Sequence, residues 1–201
     1  IMVSSTGYGY KGPWAGFGAI AYSTEAATGL AYMTGYKRGP PAIPDMPHTD
    51  FVAAEHTAFA IMAALIHRAR TGQGQFIDVS QAQTISSTIP EALMDYTVNG
   101  RIQERMGNQH PTMAPHGCYP CRGKDQWIAL AIATDAQWVA LCHVLGKPRW
   151  TDSQRFVDGP ARRRHLDELD RLLGEAIKEW DHYELMHSLQ RRGVPAGAVL
   201  S

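Results

Sequence analysis

Residues 50 to 80 read DFVAAEHTAFAIMAALIHRARTGQGQFIDVS: an apolar periodic run, a glycine turn and a short strand-like run in succession. From Phe51 the apolar positions Phe51, Val52, Ala58, Phe59, Met62, Leu65 and Ile66 recur at helical spacings, which predicts an amphipathic helix to about Arg70. Thr71-Gly72-Gln73-Gly74 ends it, because glycines punctuate helices. Phe76-Ile77-Asp78-Val79-Ser80 then has the length and flanks of a strand. Helix, tight turn and strand form the second half of a βαβ unit, so the expected fold class is α/β.

Upstream, Ile1 to Ser5 reads as the end of a buried strand, and Ala19 to Thr34 as a small-residue helix closed by Gly35. Gly39 to Pro47 carries four prolines, and each biases its predecessor away from helix, so this connection is expected to be extended. It delivers the chain to Asp50, which the local pattern makes an N-cap of the long helix. Downstream, Gln81 to about Val98 is helical, with Pro90 kinking or dividing it and Asn99-Gly100 closing it. Residues 1 to 100 are therefore assigned to one domain. Residues 101 to 201 are assigned to a linker and a small α+β domain. Its parts are a hairpin from Gly117-Cys118-Tyr119 to Trp127–Ile132, then helices at Asp135–Leu145, Ala161–Glu179 and Tyr183–Arg192, with Thr134 and Asp181 as caps.

Nineteen Lys plus Arg balance nineteen Asp plus Glu, for a formal charge of zero. A nucleic-acid surface needs clustered excess cations, so no nucleic-acid partner is expected. Arg162-Arg163-Arg164 is followed by Asp167, Glu168 and Asp170 and reads as a solvated helix face with internal ion pairs. No apolar run reaches the roughly 18 to 20 residues that cross a bilayer, so no membrane partner is expected. Ile1-Met2-Val3 is not a signal peptide. Three cysteines cannot all pair, which fits a reducing, cytoplasmic setting. Cys118 and Cys121 lack two further ligands at zinc spacing, so no metal site is assigned. The chain starts within a strand-like run and stops without a terminal element, and it is expected to be a piece of something larger.

Gly7-Tyr8-Gly9-Tyr10-Lys11-Gly12 matches G-x-G-x-x-G, yet Gly12 leads into Pro13-Trp14-Ala15-Gly16 and the nearest acid is Glu25. A dinucleotide fingerprint needs the third glycine in a helix and an acid about twenty residues on, so no nicotinamide cofactor is expected. The loop can still approach a ligand through its backbone. An acidic residue at a helix start is favoured by the macrodipole, and Asp50 there can serve as base, nucleophile or cap.

Residues beyond Asp50 narrow this choice. In order they are Gly7-Tyr8-Gly9 with Gly12-Pro13, Gly29 with Thr34-Gly35, Asp50, Ala63-Ala64-Leu65-Ile66-His67-Arg68, Thr71-Gly72-Gln73-Gly74-Gln75 and Asp78-Val79-Ser80. Gly107-Asn108-Gln109-His110-Pro111, Ala114-Pro115, Trp127–Ala131 and Gly193-Val194-Pro195-Ala196-Gly197 continue the series. The set resembles the class III (CaiB/BaiF-type) coenzyme A transferases, the family of formyl-CoA transferase and carnitine CoA-transferase, over nearly the whole chain. Its most specific part is the helix ending His-Arg-x-x-Thr-Gly-x-Gly-Gln, with an Asp eighteen residues before the Arg.

The resemblance implies a Rossmann-like large domain followed by the small α+β domain, in an interlocked homodimer when the protein is complete. It implies transfer of CoA from an acyl-CoA thioester to a carboxylic acid acceptor. Asp50 would be the catalytic nucleophile, passing through anhydride and aspartyl-CoA thioester intermediates. Coenzyme A is then substrate, and no cofactor is called for. Tyr8 and the Gly9 backbone match substrate-lining positions, Tyr8 being otherwise a loop aromatic packed over the core. Asn108 and His110 are loop residues that either contact substrate or are solvated. Two alternatives stay open. One is an α-methylacyl-CoA racemase of the same family, whose Gly-His-Asp segment is replaced here by Gly16-Phe17-Gly18-Ala19; His56, six residues beyond Asp50, would face away from it. The other is a non-catalytic acyl-CoA-binding or assembly subunit. The resemblance also implies an N-terminal segment that this chain lacks, so the piece by itself is not expected to be active.

Overall fold

The computed structural model describes residues 1–43, 46 and 48–200. The chain forms two compact units, Ile1–Gly107 and Asn108–Ser201.

In the first unit, β1 (Met2–Thr6) and β2 (Phe76–Ser80) pair in parallel, with Met2 opposite Phe76 and Thr6 opposite Ser80. Parallel neighbours need a long crossover, and here it carries α1 (Ala21–Ala27), α2 (Leu30–Met33) and α3 (His48–Thr71). The helix expected from Ala19 to Thr34 is thus two short ones. Gly29 lies between them at φ 86°, a left-handed conformation that glycine adopts without penalty and that interrupts a helix. Of the proline-rich connection, Pro44, Asp45 and Pro47 lie outside the described residues.

The long helix begins at His48, so Asp50 sits within its first turn and not at its cap. The expected apolar stripe is also redistributed. Val52, Ala53 and Ala64 are buried, whereas Phe51, Phe59, Met62 and Ile66 are exposed. α3 packs on its own unit through small side chains and turns its large ones outward. By length and composition it would pass for a bilayer-crossing helix, contrary to the expectation that no stretch does, because its many alanines raise hydropathy without a run of large apolar residues. After β2, α4 (Gln81–Ser86) and α5 (Pro90–Asn99) are separated, with Pro90 at the first helical position and Gly100 in the left-handed region as C-cap. Residues toward Gly107 stay tied to this unit: Arg105 donates to the Tyr32 carbonyl at 2.8 Å and Gly107 N–H to the Gly35 carbonyl at 2.8 Å.

The second unit is α+β. The hairpin β3 (His116–Pro120) and β4 (Trp127–Ala131) is antiparallel, and β5 (Ala196–Ala198), not foreseen in the sequence, adds to the β4 edge. Three residues of Ala-Gly-Ala carry no apolar alternation, so nothing local marks them as a strand. Helices α6 (Asp135–Val144), α7 (Gly159–Arg164), α8 (Leu166–Ile177) and α9 (His182–Gln190) close the unit. Thr134 caps α6 in a reciprocal box with Gln137, and Asp181 caps α9 by accepting from Tyr183 and Glu184 N–H. The core gathers Ile128, Leu130 and Ile132 from β4 and its end, Leu141, Leu169, Leu173 and Ile177, then Leu185 and Leu189.

The basic cluster is read differently once folded. The helix expected over 161 to 179 breaks at His165, and Arg162, on the short α7, is 1% exposed. Its guanidinium donates to the Ala114 carbonyl at 2.9 Å, the Phe156 carbonyl at 3.3 Å and Asp135 at 2.7 Å, and lies over the Trp138 ring at 5.0 Å. It is a fastener inside the unit and not a solvated face; an arginine buried among apolar residues must find partners for its donors.

Arg162→Ala is expected to cost about 2–4 kcal/mol, because two buried carbonyls lose their donor. Asp135→Asn should cost under about 1 kcal/mol, since the Asp135 side chain is mostly exposed and water replaces it. Urea midpoints of the two variants check this: equal losses would show that the ion pair dominates.

Candidate active site

The loop after β1 is fixed by close approach and by hydrogen bonds. A Cβ on Gly7 would lie 2.1 Å from the Ala19 Cβ, so any side chain there would push the loop off the segment leading into α1. Gly9 has φ +91° and its N–H donates to Thr6 Oγ1 at 3.0 Å. The Tyr10 N–H is shared by both oxygens of Asp78, at 2.9 and 3.0 Å. The Gly7 carbonyl accepts from Ala82 N–H at 2.9 Å. Tyr8 is half-buried, edge-on to Trp14 with centroids 5.4 Å apart. The loop carrying Tyr8 and Gly9 therefore rests on the junction of β2 and α4.

From that junction Gln81 reaches the third element. Its Nε2 donates to Asp50 Oδ1 at 2.7 Å, and the Asp50 side chain is otherwise exposed. Glycine loop, β2–α4 junction and the first turn of α3 are thereby connected through hydrogen bonds. The start of α3 is itself held by a residue with no expected role. Glu25, on α1 and fully buried, accepts from Thr49 N–H and Thr49 Oγ1, each at 3.3 Å, and Thr49 Oγ1 also meets the Ala21 carbonyl at 3.1 Å. The acceptor that the sequence assigns to Asp50 at the head of this helix is supplied by Glu25, and Asp50 is left free to point out. The second oxygen of Glu25 is buried and has no hydrogen-bond partner among the described residues.

His56 turns back along its own helix, Nδ1 donating to the Val52 carbonyl at 2.8 Å, with Nε2 3.4 Å from Ser87 Oγ. Asn108 and His110 belong to the second unit. His110 Nδ1 accepts from Thr112 and Met113 N–H at 3.1 and 3.3 Å, so that nitrogen bears no proton and Nε2 is the donor. The Asn108 carbonyl accepts from His116 Nδ1 at 2.6 Å, and the two imidazoles lie 5.2 Å apart. Among the described residues no three His, Cys, Asp or Glu side chains are grouped to hold a metal ion. Burial pushes the Cys121 thiol up to about 11, away from thiolate chemistry.

Gln81, Glu25, Thr49 and Asp78 are the residues that sequence reasoning missed around Asp50. Asp78 is a charged residue between the apolar Ile77 and Val79 of β2, and Gln81 opens a helix directly after a strand; only these two carried a local signal. Glu25→Ala is expected to destabilise the protein by about 1–3 kcal/mol, because the buried Thr49 N–H loses its acceptor while the Thr49 hydroxyl keeps the Ala21 carbonyl. Glu25→Gln, which keeps the acceptor oxygen, should cost less than half as much in the same denaturation measurement.

Comparison with known proteins covers the whole chain. Residues 1–201 match CoA-transferase family III. A succinate–glutarate CoA-transferase of Agrobacterium fabrum is 31% identical over 201 residues, covering 100% of this chain and 50% of its own length. An acetyl-CoA:oxalate CoA-transferase of Acetobacter aceti is also 31% identical, with 100% and 51% covered. The crystal structure of a CaiB/BaiF family protein from Brucella suis superposes with a TM-score of 0.92 at 31% identity, covering 99% of this chain and 52% of that one. The chain spans about half the length of the curated relatives it matches. On the match over its full length, with the mixed α/β architecture shared with the Brucella protein, the chain belongs to CoA-transferase family III.

Proposed function

We propose that the complete protein transfers coenzyme A between an acyl-CoA thioester and a free carboxylic acid, with Asp50 as covalent nucleophile. The observation that carries this is the Asp50 side chain itself, exposed in the first turn of α3 and oriented by a 2.7 Å hydrogen bond from Gln81, in a chain of this family. A carboxylate that served only as a helix cap would spend its oxygens on backbone N–H groups. Here Glu25 meets that need, and Asp50 stands free for chemistry.

One Asp50 oxygen attacks the thioester carbonyl, the carbon–sulfur bond breaks, and CoA leaves as thiolate from a mixed anhydride. The thiolate attacks the aspartyl carbon, expelling the donor acid and leaving an aspartyl-CoA thioester. The acceptor carboxylate attacks the aspartyl thioester and displaces CoA thiolate to form a second anhydride. The thiolate then attacks the acceptor acyl carbon, forming the new thioester and releasing the Asp50 carboxylate. Each step exchanges one activated acyl bond for another of similar reactivity, so one hard exchange becomes several easier ones. Tyr8 and the Gly9 backbone are the proposed acyl contacts in the first unit. Asn108 and His110, the latter with Nε2 as donor, are proposed substrate contacts of the second. The complete protein is proposed to assemble as a homodimer. The named relatives act on succinate, glutarate and oxalate, which makes short dicarboxylates the first acids to assay.

Incubating the complete protein with an acyl-CoA, quenching with hydroxylamine or borohydride and mapping the adduct by mass spectrometry should place the modification on Asp50. Asp50→Ala should lose both the adduct and the exchange activity. Activity that survives in this variant, or an adduct elsewhere, would overturn the assignment.

A further inference from the structure

The hydrogen bond from Gln81 makes the two oxygens of Asp50 unequal. Oδ1 accepts from Gln81 Nε2 at 2.7 Å, whereas Oδ2 has no hydrogen-bond partner among the described residues. An ionised carboxylate can only accept, so the group of Gln81 that faces it is the amide NH2. Gln81 is also well rooted. It is the first residue of α4, directly after Ser80, whose hydroxyl caps that helix by accepting from Gln83 N–H, and its own carbonyl accepts from Thr84 Oγ1 at 2.9 Å. Ser80 is in turn fixed opposite Thr6 by the β1–β2 pairing.

We propose that Gln81 is a catalytic residue: its amide presents Oδ2 to the substrate and donates to Oδ1 whenever that atom becomes an oxyanion. The inference rests on Asp50 acting as the nucleophile. In the first step Oδ2 bonds to the acyl carbon and Oδ1 remains as the aspartyl carbonyl oxygen of the anhydride. When the CoA thiolate attacks the aspartyl carbon, a carbon–sulfur bond forms and the electron pair of the carbonyl moves onto Oδ1. Collapse breaks the bond between that carbon and Oδ2, which leaves with the donor acid. When the acceptor carboxylate attacks the aspartyl thioester, charge again gathers on Oδ1 before the thiolate departs. Both attacks at the aspartyl carbon thus place negative charge on the atom that Gln81 already touches. A donor positioned in the ground state costs no reorganisation when that charge develops.

The attack on the incoming thioester places its charge on a different oxygen, the substrate's own, so loss of Gln81 should slow the aspartyl-centred steps selectively. In the complete protein, Gln81→Leu is expected to lower kcat about 10²–10³-fold, the usual effect of removing one oxyanion donor, with KM changed less than about threefold. Adduct trapping at Asp50 should persist in that variant. Gln81→Glu keeps the shape but carries a donor only when protonated, and the adjacent carboxylate favours the protonated form. Its activity should therefore rise toward acid pH relative to wild type, which a merely structural role would not produce. A Gln81→Leu enzyme within threefold of wild-type kcat, or a Gln81→Glu pH profile parallel to wild type, would overturn the proposal while leaving Asp50 as nucleophile. Failure to label Asp50 in the wild-type protein would instead remove the nucleophile reading, and this inference with it.

Discussion

The parallel pairing of Met2–Thr6 with Phe76–Ser80 is the constraint on which the candidate site depends. Parallel strands point the same way, so the loop that leaves β1 and the turn that leaves β2 emerge at one end of the sheet. That is the end at which open α/β layers bind ligands. The crossover must return the chain to the opposite end before β2 can start, and α3 makes that return. Its N-terminus is consequently at the carboxyl end of the strands and its C-terminus, Thr71, near the start of β2. Topology alone brings Tyr8 and Gly9, Gln81 and Asp50 to one place, and the hydrogen bonds among Gly7, Tyr10, Asp78, Ala82, Gln81 and Asp50 fix them there.

What could be read from the sequence is what short-range physics determines. The glycine turn before Phe76, the division at Pro90, the hairpin, and the caps at Thr134 and Asp181 each follow from residues a few positions apart. Helix boundaries at Gly29 and His165 were missed because helical composition runs through both positions, and the break shows only in the backbone. The role of Asp50 was partly legible and its geometry was not. An aspartate before an apolar helix has the pattern of a cap, but here the acceptor for Thr49 N–H comes from Glu25, on a different helix. Local propensity cannot distinguish a carboxylate that satisfies a helix from one that another carboxylate has released from that duty.

Long-range partners explain the remaining differences too. Three consecutive arginines near acids look like surface charge, yet Arg162 is turned inward because Ala114 and Phe156 present carbonyls that helix and sheet leave unpaired. Its neighbours Arg163 and Arg164 remain exposed, so identical residue types in one short helix have opposite fates. The outcome depends on which direction each position of α7 faces and on what lies there. Neither is encoded in the charge pattern.

The two units reach order by different means, and the difference bears on function. The second is organised by large aliphatic side chains, with Ile128, Leu141, Leu169, Leu173, Ile177, Leu185 and Leu189 all fully buried. The first buries mainly small ones, among them Ala21, Ala31, Ala53 and Ala64, and leaves Phe59, Met62 and Ile66 outside. Small-residue packing lets backbones approach closely but supplies little apolar burial, since the hydrophobic contribution scales with area. Positional accuracy at the candidate site therefore has to come from directional bonds: Asp78 on the Tyr10 amide, Glu25 on Thr49, Gln81 on Asp50. A hydrogen bond to a carboxylate is stronger than one between neutral groups, and the 2.7 Å contact from Gln81 to Asp50 is the shortest of these. Each acceptor in that chain is a carboxylate, so the rigidity of the site and its electrostatic character arise from the same groups.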